Sequence, residues 1–164
     1  MQKIIPCYVI LVCYGLVYLF AGWRLAEVAW IFLIALFFSY IQHMKILMSA
    51  IRLPKILAKG ENLKTATKTV VQILILIILN LYLGVLYVRL WIPEAYIVAL
   101  DTKSYVTDLD LLYYTILTFV DVGCGDIVPQ HIASRMMAII IAITSVLCLI
   151  LFLSSFMEEK EDLE

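Results

Sequence analysis

Three runs of this chain, residues 4–23, 69–91 and 132–156, are almost purely apolar. Each reaches the roughly 20 residues that an α-helix needs to cross the hydrocarbon core of a bilayer. Lipid offers no water to bond a bare peptide group, so such runs are confined to helices that satisfy their own backbone. A fourth run, residues 28–42, is shorter and approaches a full span if extended from Ala26 to Ile46. With 65% hydrophobic and only 15% charged residues, the chain has too little polar surface for a soluble domain. Lys3 ahead of the first run fits a secretory leader. The run is long for one, however, and a second apolar helix follows at once, so we read it as a membrane helix.

Charge sets the orientation. Between the second and third spans lie Lys45, Arg52, Lys55, Lys59, Lys64 and Lys68, six of the twelve basic residues, against the single acid Glu61. The positive-inside rule makes that linker cytoplasmic. Both termini then fall inside, while the turn at residues 24–27 and the loop between the third and fourth spans fall outside. Pro54 and Gly60 break the linker, which reads as a solvated connector; an amphipathic helix at anionic headgroups is the alternative. The acidic residues Glu158, Glu159, Glu161 and Asp162 read as a solvated end. Neither of the first two spans carries the regularly spaced arginines or lysines of a voltage sensor.

Between the third and fourth spans stands Asp121-Val122-Gly123-Cys124-Gly125-Asp126, at the end of a short helical stretch. Glycine has no Cβ to restrict φ, so the carbonyls of a glycine-alternating loop can turn toward one axis. Oxygens arranged that way can replace the water around a cation. The loop therefore reads as an ion filter.

Residues 110–129 resemble the pore helix and selectivity filter of the tetrameric potassium-channel superfamily. That family's filter commonly reads Thr-Val-Gly-Tyr-Gly-Asp, and it aligns with residues 121–126 without a gap. Tyr113, Tyr114 and Thr118 fall where the family places an aromatic pair and a pore-helix threonine. The likeness covers about residues 67–156 and does not reach the first 66. It implies an all-α membrane fold, with four transmembrane helices per subunit and a re-entrant pore helix and filter between the third and fourth. It also implies a homotetramer, so that one chain supplies a quarter of a pore. The chain then divides into an N-terminal transmembrane hairpin (1–48), a basic cytoplasmic linker (49–66), a pore domain (67–156) and an acidic tail (157–164). Within the pore domain we expect an outer helix at 69–91, a pore helix at 109–120, the filter at 121–126 and an inner helix at 132–156.

The function implied is passive cation conduction at the cell membrane, without catalysis and without a bound cofactor. The expected partners are further copies of the chain and membrane lipids, with no nucleic acid and no soluble ligand-binding domain. Asp121, Val122, Gly123, Cys124 and Gly125 would line the ion path, with Thr118, Asp126, Tyr113 and Tyr114 supporting it. K+ is the expected permeant ion and Na+ the monovalent alternative; a non-selective channel or one passing Ca2+ or Na+ is the alternative reading on the same fold.

Departures from the family pattern shape those alternatives. Asp121 replaces a threonine, so fourfold symmetry would place a ring of carboxylates where filter meets cavity. An ionisable group inside the membrane costs about 2.5–3.5 kcal/mol by insertion scales and so faces water or partners. The ring is thus a candidate divalent-cation site; the competing reading turns Asp121 behind the filter to cap backbone amides. Cys124 replaces a tyrosine, which removes an outer brace and offers a thiol that could bind soft metals. Leu117 stands where some bacterial members pair a glutamate with the residue corresponding to Asp126. Ser145 aligns with an inner-helix glycine hinge, so Thr144 and Ser145 become the candidate hinge or gate, bonding back to the preceding turn.

Cys7, Cys13 and Cys148 read as small buried hydrophobes. Asn80 suggests an interhelical hydrogen bond and Arg89 a snorkelling side chain; His43 and His131 suggest no role. Gly123-Cys124-Gly125-Asp126 is also a GxGD pattern similar to that of intramembrane aspartyl proteases. Those need a second aspartate on a facing span, and no other span here contains one. A non-conducting regulatory subunit with an altered filter is the third reading.

Overall fold

The computed structural model describes residues 5–21, 29–52, 63–99, 105–123 and 125–161. The turn at 24–27, the centre of the basic linker, Cys124 and the side chains of Cys7 and of the acidic tail lie outside the described residues. The described chain is mostly helical: α1 (Ile5–Ala21), α2 (Ala29–Arg52), α3 (Leu63–Trp91), β1 (Tyr96–Val98), α4 (Asp108–Phe119), β2 (Ile127–Pro129) and α5 (Ile132–Glu161). Among the described residues, three helices are long and apolar enough to cross a membrane, over Ala29–Ser49, Lys68–Trp91 and Ile132–Leu151. Of the expected first span the described part is the helix Ile5–Ala21; residues 4, 22 and 23 lie outside the described residues. The run at 28–42 proves to be the start of a longer helix, because α2 continues through Lys45 to Arg52.

Helix α3 forms the centre, with Ile73, Leu76, Ile77, Val85 and Tyr87 almost wholly buried. Tyr87 ties it to the N-terminal pair. Its ring stacks on Phe32 of α2 (5.4 Å between centroids) and meets Tyr18 of α1 edge-on (5.8 Å). Its hydroxyl donates to the carbonyl of Tyr14 at 3.0 Å. These contacts set α1 parallel to α3 and α2 antiparallel to it. Helix α3 ends where chemistry demands: the Ile92 amide still reaches the Val88 carbonyl at 2.8 Å, and Pro93 then has no N–H to continue.

The ends of α3 and α5 are joined by a two-stranded antiparallel ribbon, which pairs Tyr96 with Pro129, Ile97 with Val128 and Val98 with Ile127. Helix α5 starts on a reciprocal cap. The His131 amide donates to Ser134 Oγ and the Ala133 amide to His131 Nδ1, both at 3.2 Å. The buried Ser134 hydroxyl also bonds the Ala95 carbonyl at 2.7 Å, pinning α5 to the ribbon. His131, without a role in the sequence reading, thus closes a helix end whose amides would otherwise be unpaired.

Helices α3 and α5 approach closely at Gly84, where an added Cβ would lie 2.7 Å from Met137 Cε. The obstacle is the flexible end of a side chain, so alanine is expected to be absorbed by a Met137 shift. Gly84→Leu is expected to cost about 1–3 kcal/mol by overpacking. The melting midpoint in detergent should fall accordingly and recover in part when Met137→Ala is added.

Candidate functional site

Helix α4 and the segment after it carry the candidate site. Its start is a capping box: Asp110 N–H donates to Thr107 Oγ1 at 3.2 Å, and Thr107 N–H to Asp110 Oδ2 at 2.8 Å. The Thr107 hydroxyl donates to the same carboxylate oxygen at 2.7 Å. Those bonds from the Thr107 hydroxyl and amide hold the Asp110 carboxyl below its ordinary 3.8. Asp108 in the same first turn is placed favourably against the positive end of the helix dipole.

Asp108 also pairs with Arg89 of α3. The Arg89 guanidinium further donates to the Val106 carbonyl at 2.7 Å and to the Tyr18 hydroxyl at 2.8 Å, and lies over the Tyr105 ring at 5.5 Å. The Tyr18 hydroxyl donates onward to Asp108 at 3.2 Å, and Tyr82 donates to the Asp108 carbonyl at 3.1 Å. Arg89 therefore does not snorkel: its side chain is only 10% exposed and fastens the start of α4 to α1 and α3. Its hydrogen-bond partners lie 17 to 71 positions away in sequence, beyond the reach of any local pattern. Asn80 differs too, since its buried side-chain nitrogen has no hydrogen-bond partner among the described residues.

The other end of α4 turns sharply. Val120 caps the helix, and Asp121 follows in the left-handed region at φ 56°. The Asp121 amide donates to the Thr118 carbonyl (3.3 Å) and the Val122 amide to the Leu117 carbonyl (3.1 Å). This is the Schellman arrangement, in which glycine usually takes the left-handed place. Aspartate tolerates that conformation better than most residues. The Gly123 amide also reaches the Leu117 carbonyl (3.3 Å), at φ 72°. An added Cβ there would meet nothing within 4 Å, so the demand for glycine is conformational rather than steric. The loop's amides are spent on the helix end. Among the described residues no backbone hydrogen bond is accepted by the carbonyls of Asp121, Val122 or Gly123.

The Asp121 carboxylate is exposed and accepts a hydrogen bond from Ser145 of α5 at 3.2 Å. Among the described bonds it caps no backbone amide. Ser145 stands 13 residues into α5, or about 20 Å along the helix at 1.5 Å per residue. The 12 residues of α4 cover about 18 Å by the same rise. Asp121, at the end of α4, therefore stands at the level of Ser145, while Arg89 holds the start of α4.

Asp126, just ahead of β2, accepts from the Ile127 amide at 3.1 Å, and its carbonyl accepts from Ala99 at 2.7 Å. Tyr114 is buried against Tyr96 (5.4 Å between centroids), whereas Tyr113 lies on the exposed side of α4. Thr118 supplies its carbonyl to the turn. Thr144 bonds back to the Ile140 carbonyl at 2.5 Å, and α5 runs through Thr144 and Ser145 as one continuous helix. Among the described residues no cluster of three His, Cys, Asp or Glu side chains forms. Cys124, named as a filter residue and a soft-metal ligand, is outside the described residues.

An integral membrane fold, with a short helix and glycine loop lodged between two long apolar helices, is the framework of an ion channel. Residues 73–160, more than half of the chain, match the family described as Ion channel, and the protein belongs to that family. No curated protein and no solved structure matches the chain.

Arg89→Gln is expected to leave Asp108 without its cation and to cost about 1–3 kcal/mol, less than a fully buried pair because Asp108 is half-exposed. The loss is read as a lower melting midpoint in detergent. Thr107→Ala should cost about 1 kcal/mol as a lost cap. Because the Asp110 carboxyl is lowered from 3.8, its contribution is complete above that value and is lost as pH falls through the lowered one. Hydrogen exchange of the Leu111 amide should therefore be insensitive to the cap's titration between pH 7 and 5. In Asp110→Asn protein it should be faster throughout that range.

Proposed function

We propose that the chain is the pore-forming subunit of a homotetrameric, potassium-channel-type cation channel in the cell membrane, with both termini cytoplasmic. In this reading α1 and α2 form a peripheral pair, and α4 with residues 121–126 is a re-entrant pore helix and filter. The carbonyls of Asp121, Val122, Gly123 and Cys124 hold dehydrated K+, with Gly125 and Asp126 shaping the outer end. The four Asp121 carboxylates ring the inner mouth of the filter.

The observation that carries the reading is the turn at the end of α4. Amides from Asp121 to Gly123 fold back onto the helix, which leaves their carbonyls available to a ligand. A carboxylate beside the negative end of a helix dipole is unfavourable by itself; a bound cation offsets both. Assembly is supported by what one chain leaves uncovered. Val122 is 70% exposed, and Ile139, Ile143, Val146, Ile150 and Leu153 form an exposed apolar stripe along α5, spaced as a helix presents one face to a partner. The carboxylate ring also favours a second reading, a cation channel less selective for K+ and open to Na+ or Ca2+.

Asp121→Asn separates these effects, since asparagine accepts the left-handed backbone while removing the charge. Threonine at φ 56° would instead strain the turn by about 1–2 kcal/mol. In protein reconstituted in bilayers, Asp121→Asn is expected to weaken internal Ba2+ block by about tenfold or more, equivalent to 1.4 kcal/mol. The reversal potential between K+ and Na+ solutions should move toward stronger K+ preference. Unchanged block and reversal would mean that the carbonyls alone set what permeates.

A further inference from the structure

Thr144 and Ser145 are neighbours on α5, and each makes one hydrogen bond to a different part of the protein. Successive helix positions point about 100° apart, so one faces the peripheral helix α2 while the other faces the loop. The Tyr40 hydroxyl of α2 meets Thr144 Oγ1 at 2.7 Å. Thr144 is fully buried and spends its own proton on the Ile140 carbonyl at 2.5 Å, so Tyr40 is the donor. Ser145 donates to the Asp121 carboxylate at 3.2 Å.

The bond borders an open apolar groove of about 330 Å³ between α2, α3 and α5, lined by Leu33, Phe37, Tyr40, Gly84, Met137 and Ile140 among others. Where helices are separated by a groove, dispersion contacts across it are fewer, and a directed hydrogen bond does more to fix the rotation of α5. A turn of about 20° moves an atom about 5 Å from a helix axis through roughly 1.7 Å. That is enough to break a bond to Asp121. Tyr40 itself is held in place by its stacked neighbour Phe37, 6.3 Å away.

We infer that Tyr40 and Thr144 are positioning residues for the ion site: by fixing the rotation of α5 they hold Ser145 on Asp121, and so make the N-terminal helix pair part of what sets the filter's cation affinity. This rests on the channel reading above. Tyr40 does not touch the path; it acts through Ser145. Spatial contiguity alone does not establish coupling, and a double-mutant cycle does.

The test uses full-length channels reconstituted in bilayers, with Ba2+ as the probe and block midpoint as the readout, beside the amount of assembled protein. Tyr40→Phe removes one hydroxyl and keeps the ring; Ser145→Ala removes the bond to Asp121. Each is expected to weaken block about three- to tenfold, the range of one ordinary hydrogen bond. The double variant should be no weaker than either single one. Thr144→Val should reproduce Tyr40→Phe, and Thr144→Ser, which keeps the hydroxyl, should restore wild-type block. Additive effects in the double variant, or an unchanged block midpoint in both Tyr40→Phe and Thr144→Val, overturn the inference. If Asp121→Asn shifts block and the Tyr40 variant does not, this inference alone fails. An Asp121→Asn channel with unchanged block overturns this inference but leaves a channel whose carbonyls set what permeates; a wild type that passes no cation removes the reading beneath it as well.

Discussion

Arg89 is the point at which three helices are made to agree. Its guanidinium meets the Tyr18 hydroxyl on α1, the Asp108 carboxylate at the start of α4 and the Val106 carbonyl ahead of it. A cation held among apolar helices is costly unless its donors are spent, and here they are spent on groups that themselves need partners. The first turn of α4 is doubly anchored, by this ion pair from behind and by the Thr107–Asp110 box in front. With its start fixed, a helix of this length can end at only one depth along α5. The meeting of Asp121 with Ser145 follows from where Arg89 stands.

At the far end of α4 the backbone does the organising. The Schellman turn consumes amides from Asp121 to Gly123 on the Leu117 and Thr118 carbonyls, and the left-handed position falls to an aspartate rather than a glycine. The choice costs some backbone strain and sets a negative group at the negative end of a helix. In the proposed channel that arrangement is useful, because an electrostatic deficit at the mouth of a carbonyl-lined path is relieved by the permeating cation. The hydroxyl of Ser145 steadies the carboxylate from the side, and the Tyr40–Thr144 bond holds the helix that bears it.

Much of the helical framework was legible in the order of the residues, because apolar runs of bilayer length leave few alternatives to helices. Of the glycine-alternating loop, the positive φ of Gly123 is a conformation that glycine alone adopts freely. The Thr107-to-Asp110 spacing and the Pro93 stop are local signals of the same kind. Arg89 was not legible. A lone arginine near the end of a span is equally consistent with snorkelling, and its true partners come from segments far away in sequence. Ser145 was read as a hinge substitute from its alignment, whereas its hydroxyl points to Asp121 instead of back along its own helix.

By itself, then, the sequence determined what could be decided locally. Apolar length dictates membrane helices, glycine permits the loop, and proline and capping residues set where elements start and stop. Tertiary structure alone decided which polar groups meet. Whether Asp121 turns back to cap its own helix or out to Ser145, and whether Arg89 faces headgroups or Asp108, depends on partners brought together by packing. Hydrogen bonds and ion pairs act over a few ångströms of space, and no rule of spacing along the chain encodes that distance.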